Sequence, residues 1–384
     1  MQGNWSYPTQ VRFGAGRISE LPDACSSARI GRPLVVTDPV LARMPMVAGA
    51  VAALESAGLA PAVFSELKSN PVETDVAAGL VALRRGAHDG VVAFGGGSAL
   101  DVGKLIAFMA AQTRPIWDFE DVGDQWRRAN ADGILPIVAI PTTAGTGSEV
   151  GRAGVITQLE SRTKRVIFHP RMMPSVAICD PKLTVGLPPN LTAATGLDAF
   201  VHCLEAYCAP GFHPLAEGIA VEGMRYVKEN LPRAFEDGED LDARAHMMAA
   251  AAMGATAFQK GLGGVHALAH AVGALYDTHH GLTNGVIVPY VLSYNHIAIE
   301  EPIERVARWL GLKAKFSAFL DWLLDLREKL AIPHRLADLG ITTGESERIA
   351  AIAAADPCAA SNPRPFDASV ARRVFDAAVV GALR

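Results

Sequence analysis

The sequence predicts an α/β domain followed by an all-α domain. In the first half, short apolar runs rich in valine and isoleucine alternate with stretches of helical periodicity. This alternation is typical of a doubly wound parallel sheet covered by helices on both faces. From about residue 186 onward, nearly every apolar pattern has the helical period. We therefore expect an α/β domain over residues 1–185 and a helical domain over residues 186–384.

The α/β prediction depends on particular segments of the first half. Proline, glycine and polar residues punctuate them, as expected for strand and helix ends. The predicted strands are RPLVVT (32–37), PAVFSEL, DGVVAF (89–94), ILPIVAIPTT (134–143) and SVAICD (175–180). The predicted helices are MVAGAVAALESAG, TDVAAGLVALRRG and DVGKLIAFMAAQ.

The helical prediction for the second half depends on seven segments. We expect the prolines and glycines between them to separate the helices. The segments are LTAATGLDAFVHCLEAYC, AEGIAVEGMRYVKENLPRAF, ARAHMMAAAAMGATAFQ, GGVHALAHAVGALY, PIERVARWLGL, KFSAFLDWLLDLREKL and ASVARRVFDAAVVGAL.

Composition excludes several classes of partner. The chain has 384 residues and a formal net charge of -5, and no basic run suggests a nucleic-acid partner. Its apolar runs are too short to span a membrane, and MQGNWSYPTQVRFG does not have the pattern of a signal peptide. The five cysteines are widely scattered and form no CxxC pair, which favours free thiols in a reducing cytoplasm.

A glycine-rich stretch follows the third predicted strand. Gly95, Gly96, Gly97 and Ser98 open a helix, and the stretch ends at Asp101. Glycines allow a ligand to approach the backbone closely, and a helix N-terminus favours an anion such as a phosphate. The alternative is a tight strand-to-helix turn, which glycines also form. The stretch is not GxGxxG, so the standard dinucleotide fingerprint is absent.

Polar residues end two other predicted strands. Asp38 closes PLVVTD, where a carboxylate can accept hydrogen bonds from ribose hydroxyls and repel a 2′-phosphate. It is equally suited to cap the turn before Pro39. The loop PTTAGTGSE carries hydroxyl groups that are suited to a nucleotide, but a single loop of this kind is weak evidence.

One aspartate and three histidines form a candidate metal site. Asp198 and His202 lie four residues apart on a predicted helix, so they share one face. His266 opens a second apolar helix, and His280 lies in the polar turn that ends it. A carboxylate with three imidazoles suits Fe(II), Zn(II), Co(II) or Ni(II) better than Ca(II) or Mg(II). Each histidine taken alone is more typical of a hydrogen-bonded core residue.

These motifs together resemble the iron-containing (group III) alcohol dehydrogenases, and the resemblance covers nearly the whole chain. It implies an N-terminal α/β dinucleotide domain, a C-terminal helical metal-binding domain with the catalytic site in the cleft between them, and a homodimer or larger homo-oligomer. The stretches that carry it are FGAGRISELP, GGGSALDVGKLIA, IPTTAGTGSEV, GLDAFVHCLEAY and GGVHALAHAVGALYDTHHGLTNG.

The resemblance also implies roles for individual residues. The metal ligands would be Asp198, His202, His266 and His280, with Fe(II) preferred and Zn(II) also compatible. Since His279 stands beside His280, the family spacing of fourteen residues after His266 selects His280. A relay of the alcohol proton would pass through His270, unless that residue only orients a ligand. The positions that match cofactor contacts are Asp38, Gly95, Gly96, Gly97, Ser98, Asp101, Thr142, Thr143 and Lys164.

The activity implied by the resemblance is reversible hydride transfer between a small alcohol and NAD, which yields an aldehyde or ketone. Asp38 matches the acidic residue associated with a preference for NAD over NADP. Glycerol dehydrogenases and dehydroquinate synthases typically have no histidine at the position of His202, so its presence favours the alcohol dehydrogenases. The alternatives are a maleylacetate reductase or another reductase of the family, and a dehydroquinate synthase-like lyase.

Overall fold

The computed structural model describes residues 9–383 and divides them into two compact units. The first unit contains residues 9–143 and 147–185, and the second contains residues 144–146 and 186–383. The first eight residues lie outside the described range, and the expected absence of a signal peptide rests partly on them.

The first unit contains a parallel six-stranded sheet and a two-stranded antiparallel hairpin. The strands are β1 (Gln10–Phe13), β2 (Pro33–Val36), β3 (Ala62–Phe64), β4 (Gly90–Gly95), β5 (Ile137–Pro141), β6 (Ala153–Gln158), β7 (Thr163–Phe168) and β8 (Val176–Cys179). The sheet has the strand order β1-β8-β5-β4-β2-β3, and the hairpin pairs β6 with β7.

Helices cover both faces of this sheet, as predicted for a doubly wound domain. Along β4, Val92 and Phe94 belong to the same apolar cluster as α1 and α2, whereas Val91 and Ala93 belong to the cluster that contains α3 and α4. A strand that is buried on both faces reads as a continuous apolar run, which is why VVAF was recognisable in the sequence. The helices are α1 (Leu21–Ser27), α2 (Pro45–Ser56), α3 (Glu73–Arg85) and α4 (Gly97–Met109).

The five predicted strands are all present, but three further strands were not predicted. The strand β1 lies at the edge of the sheet and pairs only with β8, and three of its four residues are exposed. The hairpin strands β6 and β7 are mostly half-buried and mix polar with apolar side chains. Strands of this kind produce no apolar run, so their sequences do not separate them from loops.

The second unit is helical and is built around α5. Helix α5 packs against α6, α7 and α9, and nearly all its residues from 192 to 207 are buried. The helices are α5 (Pro189–Cys208), α6 (Pro214–Glu236), α7 (Leu241–Ala257), α8 (Gly264–Tyr276), α9 (His280–Trp309), α10 (Phe316–Lys329), α11 (Ser346–Ala355) and α12 (Ala368–Val380).

Helix α9 corrects two expectations. It continues through Pro289 and Pro302, where we expected prolines to end helices. Proline removes one backbone donor, but burial of an apolar face along α9 is sufficient to hold the helix together. The second correction concerns His280, which is the first residue of α9 and does not lie in the turn that ends α8.

Within residues 9–383, no helix combines the length and the apolar character that a membrane span requires.

Candidate metal centre and cofactor loops

Three helices of the second unit bring together the predicted metal ligands. Asp198 and His202 lie one turn apart on α5. His266 lies in the first turn of α8, and His280 begins α9. Because α5 packs against α9 and α8 packs against α9, ligands that are far apart in sequence meet in one place.

Glycines allow these helices to approach closely. A Cβ atom on Gly281 would lie 2.3 Å from the carbonyl oxygen of Ala194, so only glycine fits between α9 and α5 at this point. A Cβ atom on Gly254 of α7 would lie 2.9 Å from Cβ of His202. The two glycines therefore determine how near the ligand-bearing turns of α5 lie to α7 and α9.

The three histidine side chains converge on a single carboxylate oxygen, that of Asp198. Oδ1 of Asp198 lies 3.6 Å from Nε2 of His280, 3.8 Å from Nε2 of His266 and 3.9 Å from Nε2 of His202. Asp198, His202 and His266 are at most 5% exposed, and their ligand atoms all lie within 4.8 Å of one another. One oxygen and three nitrogens at these separations form a donor set that fits a divalent transition metal.

A buried amide lies among these ligand atoms and was missed by the sequence prediction. Nδ2 of Asn284 donates to Oδ1 of Asp198 at 2.7 Å. The same atom lies 3.2 Å from Nε2 of His280 and 3.4 Å from Nε2 of His266. One amide nitrogen therefore lies within 3.4 Å of three predicted ligand atoms, which shows that these atoms surround a common point.

The electrostatics of the centre favour a cation. Burial tends to raise the pKa of Asp198, but His202 and His280 outweigh this effect and hold that pKa far below its usual range. Burial lowers the pKa of His202 to about 4, although Asp198 opposes the change. For His266, burial is outweighed by Asp198 and Glu205, which raise its pKa to about 9. The two carboxylates that favour a proton on His266 favour a metal ion in the same way.

The structure separates the two adjacent histidines. His279 is exposed, and its Nδ1 caps α9 by accepting a hydrogen bond from the amide of Leu282. His280 is half-buried and turned toward Asp198. Because His279 is the N-cap, the helix begins at His280, and this fixes which side chain enters the centre.

A second buried carboxylate contacts the centre and was also missed. Oε2 of Glu205 lies 2.6 Å from Nδ1 of His266, and Oε1 accepts a hydrogen bond from the amide of Val265. Glu205 lies three residues after His202 on α5, so it extends the same helical face. That spacing is the one signal in the sequence that could have identified it.

His270 lies beside the ligands and has its own carboxylate partner. Its ring stacks on that of His280 at a centroid distance of 5.2 Å, and its Nδ1 lies 2.9 Å from Oδ2 of Asp356. Burial tends to raise the pKa of Asp356, but His270 outweighs it and lowers that pKa, so the carboxylate is ionised. Burial also raises the pKa of the nearby Cys358 thiol well above its usual value, so it is a poor metal ligand.

The glycine stretch lies at the switch point of the parallel sheet. The chain runs from β2 to β3 in one direction and from β4 to β5 in the other, so the order reverses between β2 and β4. Ligands of such sheets bind at the carboxyl ends of the strands at this point. Gly95 ends β4 with φ 152°, Gly96 precedes α4 without a side-chain cap, and Gly97 begins the helix.

The other polar residues at this end of the sheet surround the glycine stretch. Asp38 lies beside Gly95, and its Oδ1 accepts hydrogen bonds from the amides of Val40 and Leu41 at 2.9 Å. Asp38 therefore caps the turn. Thr142 donates its amide to the carbonyl oxygen of Gly95, and Thr143 lies next to Gly96.

The remaining predicted cofactor residues contact their own unit. Ser98 donates its hydroxyl to the carbonyl oxygen of Ser69. Asp101 accepts hydrogen bonds from Ser148 and from the amide of Val155, and it lies 3.2 Å from Nζ of Lys104. Asp101 thus connects α4 to β6. Lys164 is a half-buried residue of β7, paired with Thr157.

Two protein-family models match this chain, one in its first half and one in its second half. Residues 8–181 match the model of the iron-containing alcohol dehydrogenases. Residues 192–379 match the C-terminal part of the same family.

Individual relatives match over nearly the whole chain. The 4-hydroxybutyrate dehydrogenase of Cupriavidus necator is 37% identical and covers 96% of this chain and 98% of its own. The NAD-dependent methanol dehydrogenase of Bacillus methanolicus is 34% identical, covering 94% and 96%. The crystal structure of a 1,3-propanediol oxidoreductase superposes with a TM-score of 0.91 at 34% identity and covers 98% of this chain and 100% of its own.

The chain combines a parallel six-stranded sheet with a helical unit that holds a buried carboxylate–imidazole cluster. Together with its similarity to dehydrogenases of hydroxyl compounds, this defines an oxidoreductase that acts on alcohols. The chain belongs to the iron-containing alcohol dehydrogenase family. Membership implies a divalent metal and an NAD-type cofactor.

Proposed function

We propose that the chain interconverts short primary alcohols and their aldehydes with NAD(H), at a divalent metal held by Asp198, His202, His266 and His280. The convergence of three imidazole nitrogens on Oδ1 of Asp198, at 3.6–3.9 Å, is the observation that carries this proposal. The charge of the site supports it, since the buried carboxylates of Asp198 and Glu205 favour a cation among the imidazoles.

Fe(II) is the proposed metal, and Zn(II) is the alternative. The family is named for iron, and a set of one carboxylate with three imidazoles suits both metals. A metal held there supplies a Lewis acid that lowers the pKa of an alcohol hydroxyl.

NAD is the proposed cofactor, bound by the α/β unit at the switch point of its sheet. Gly95, Gly96, Gly97 and Ser98 would offer backbone amides to the pyrophosphate. Asp38 would accept hydrogen bonds from the ribose and repel the 2′-phosphate of NADP. Its Oδ1 caps a turn, but a carboxylate has lone pairs on both oxygens, so Oδ2 can still serve a ribose. The remaining proposed contacts are Asp101, Thr142, Thr143 and Lys164.

His270 is the proposed catalytic residue, and it would relay the alcohol proton. The carboxylate of Asp356 can only accept, so Nδ1 of His270 carries the hydrogen in that pair. The proton acceptor is then Nε2, and the ionised Asp356 stabilises the imidazolium that forms. Loss of the alcohol proton to His270 accompanies hydride transfer from the carbinol carbon to the nicotinamide.

Terminal primary alcohols are the proposed substrate class. The relatives act, by their names, on methanol, 1,3-propanediol and 4-hydroxybutyrate, all of which carry a terminal hydroxyl group. A maleylacetate reductase and a dehydroquinate synthase-like lyase are not favoured, because the relatives described above are dehydrogenases of hydroxyl compounds.

A cytoplasmic homo-oligomer remains part of this proposal. All five cysteines are free, as expected in a reducing compartment. The homodimer or larger assembly rests on the family resemblance.

A substrate panel tests the proposal directly. Purified protein is assayed with methanol, 1-propanol, 1,3-propanediol and 4-hydroxybutyrate, and with the matching aldehydes, while metal content is measured on the same sample. The proposal expects net NADH from at least one alcohol, in proportion to bound metal. Turnover that is independent of metal would contradict it, and so would transient reduction of NAD without net NADH.

A further inference from the structure

We propose that Glu205 is a positioning residue that fixes the ring tautomer of His266 and thereby prepares its Nε2 for metal binding. This inference rests on the proposed metal site. It goes further by assigning a role to a residue outside the ligand set.

The carboxylate of Glu205 is held in place at both oxygens. Oε1 accepts a hydrogen bond from the amide of Val265 at 2.7 Å, and Oε2 lies 2.6 Å from Nδ1 of His266. Glu205 is 7% exposed and His266 is 1% exposed, so water does not compete for either group. A pair of this kind in a buried setting is strong and well oriented.

The direction of this hydrogen bond decides the chemistry of the ring. Oε2 of Glu205 is the acceptor in this contact, so Nδ1 of His266 is the donor. With the hydrogen held on Nδ1, Nε2 is the nitrogen that would offer its lone pair to a metal ion. This atom lies 3.8 Å from Oδ1 of Asp198 and 3.4 Å from the amide nitrogen of Asn284, on the side where the other ligand atoms converge.

The surrounding chain is built to hold this carboxylate. A Cβ atom on Gly263 would lie 2.8 Å from Oε1 of Glu205, so a side chain there would collide with it. The adjacent amide of Gly264 donates to Oδ1 of Asn362 at 3.0 Å, and Asn295 donates to the same oxygen at 2.9 Å. Glu205 and Asn362 therefore anchor the first turn of α8, which carries His266.

Glu205 could instead act only as a cap for α8 through Val265. The two roles predict different results for Glu205→Gln, because the amide group of glutamine is nearly isosteric with a carboxylate. Its oxygen still accepts the amide of Val265, so the cap is retained. Its NH₂ group then faces Nδ1 of His266, and this favours the other tautomer, in which Nε2 carries the hydrogen and cannot bind a metal.

The test is a titration of the metal-free, full-length protein with Co(II). Binding is followed by the visible absorption of the bound ion, which also reports the ligand geometry and is independent of turnover. Glu205→Gln is expected to weaken Co(II) binding about 10- to 100-fold and to alter the spectrum. The thermal unfolding midpoint of the metal-free protein is expected to be close to that of wild type, because the cap is retained.

Glu217→Gln is the matched control. Glu217 lies in the first turn of α6 in the same unit and accepts a hydrogen bond from Nζ of Lys260 at 2.9 Å, away from the ligand set. This variant is expected to bind Co(II) as wild type does. If Glu205→Gln does not fold, Glu205→Asp is the second variant. Its side chain is one methylene group shorter, which moves the carboxylate away from His266, and its affinity for Co(II) is expected to fall at least about tenfold.

The outcomes separate this inference from the proposed function. Wild-type affinity and spectrum in Glu205→Gln, or in Glu205→Asp if the first variant does not fold, would overturn the role of Glu205 and leave the metal site standing. Failure of the wild-type protein to bind Co(II) would remove the proposed metal site, and the inference with it.

Discussion

Nδ1 of His270 lies 2.9 Å from Oδ2 of Asp356, and Oδ1 of the same carboxylate accepts the amide of Cys358 at 2.8 Å. One carboxylate therefore caps a turn and orients the proposed proton relay. Asparagine also serves well as an N-cap, so Asp356→Asn separates the two roles.

We expect Asp356→Asn to lower kcat about tenfold or more, because the amide no longer stabilises an imidazolium at His270. Steady-state kinetics across pH measures the effect. Asp367→Asn is the control, since Asp367 also caps a helix by accepting the amide of Val370 at 2.9 Å. Equal kcat values and pH profiles in both variants would remove His270 from the proton path.

Removal of a ligand tests the metal centre. We expect His266→Ala to lose bound metal and to reduce activity to background, because His266 is buried and faces Asp198. Metal analysis and NADH fluorescence measure the two properties, and NAD affinity is expected to be mostly retained. His246→Ala, which removes a partly exposed histidine of α7, should leave both unchanged. Full turnover by a metal-free His266→Ala protein would show that the reaction does not require a metal ion as a Lewis acid.

The charge of Asp38 is expected to set the cofactor preference. Asp38→Asn keeps an oxygen for the amides of Val40 and Leu41 but removes the charge. We expect kcat/KM with NADP to rise about tenfold, the change that removal of about 1.4 kcal/mol of repulsion produces. Asp89→Asn carries the same charge change at the opposite end of the neighbouring strand β4 and should not alter the preference. If the ratio of kcat/KM with NADP to kcat/KM with NAD is unchanged in Asp38→Asn, then Asp38 does not distinguish the ribose of the two cofactors.

Glu149 predicts a pH dependence of stability. Burial raises its pKa to about 7, although Lys104 opposes the shift, and the residue is 2% exposed. Between the unfolded pKa of about 4.5 and the folded value of about 7, the folded state binds the extra proton. Its contribution to stability is therefore full below pH 4.5 and is lost as the pH rises toward 7.

We expect Glu149→Gln to abolish the loss of stability that Glu149 causes as the pH rises toward 7. The free energy of unfolding of the variant, relative to wild type, should increase by about 3 kcal/mol between pH 4.5 and pH 8. Urea denaturation at several pH values measures it. Glu160→Gln is the control at an exposed position. Its free energy of unfolding should differ from that of wild type by the same amount at every pH. A constant difference for Glu149→Gln as well would show that folding does not shift the pKa of Glu149.

The close approach of α9 to α5 gives a prediction about packing. Gly281→Ala should cost about 1–3 kcal/mol of stability, because the new methyl group would lie 2.3 Å from the carbonyl oxygen of Ala194. It should also weaken metal binding, since His280 is the adjacent residue. Gly218→Ala, on α6 with no atom within 4 Å of the new methyl group, should be neutral or stabilising. Equal stabilities of the two variants would contradict the close contact.

The sequence predicted features that depend on local periodicity and burial. The buried strands β2, β4 and β5 read as apolar runs, and the helical period of the second half was visible throughout. The spacing of Asp198 and His202 by one turn follows from helix geometry alone. The edge strand β1 and the hairpin were missed because half-exposed strands carry no such pattern.

By itself, the sequence therefore determined the fold class, the family resemblance and the four candidate ligands. Only the tertiary structure decided that Glu205 reaches His266, that Asp356 reaches His270 and that Asn284 lies among the ligand atoms. The physical reason is that these contacts join residues 61 to 86 positions apart in the sequence. Local spacing determines which residues share a helix face, whereas helix packing determines what that face meets.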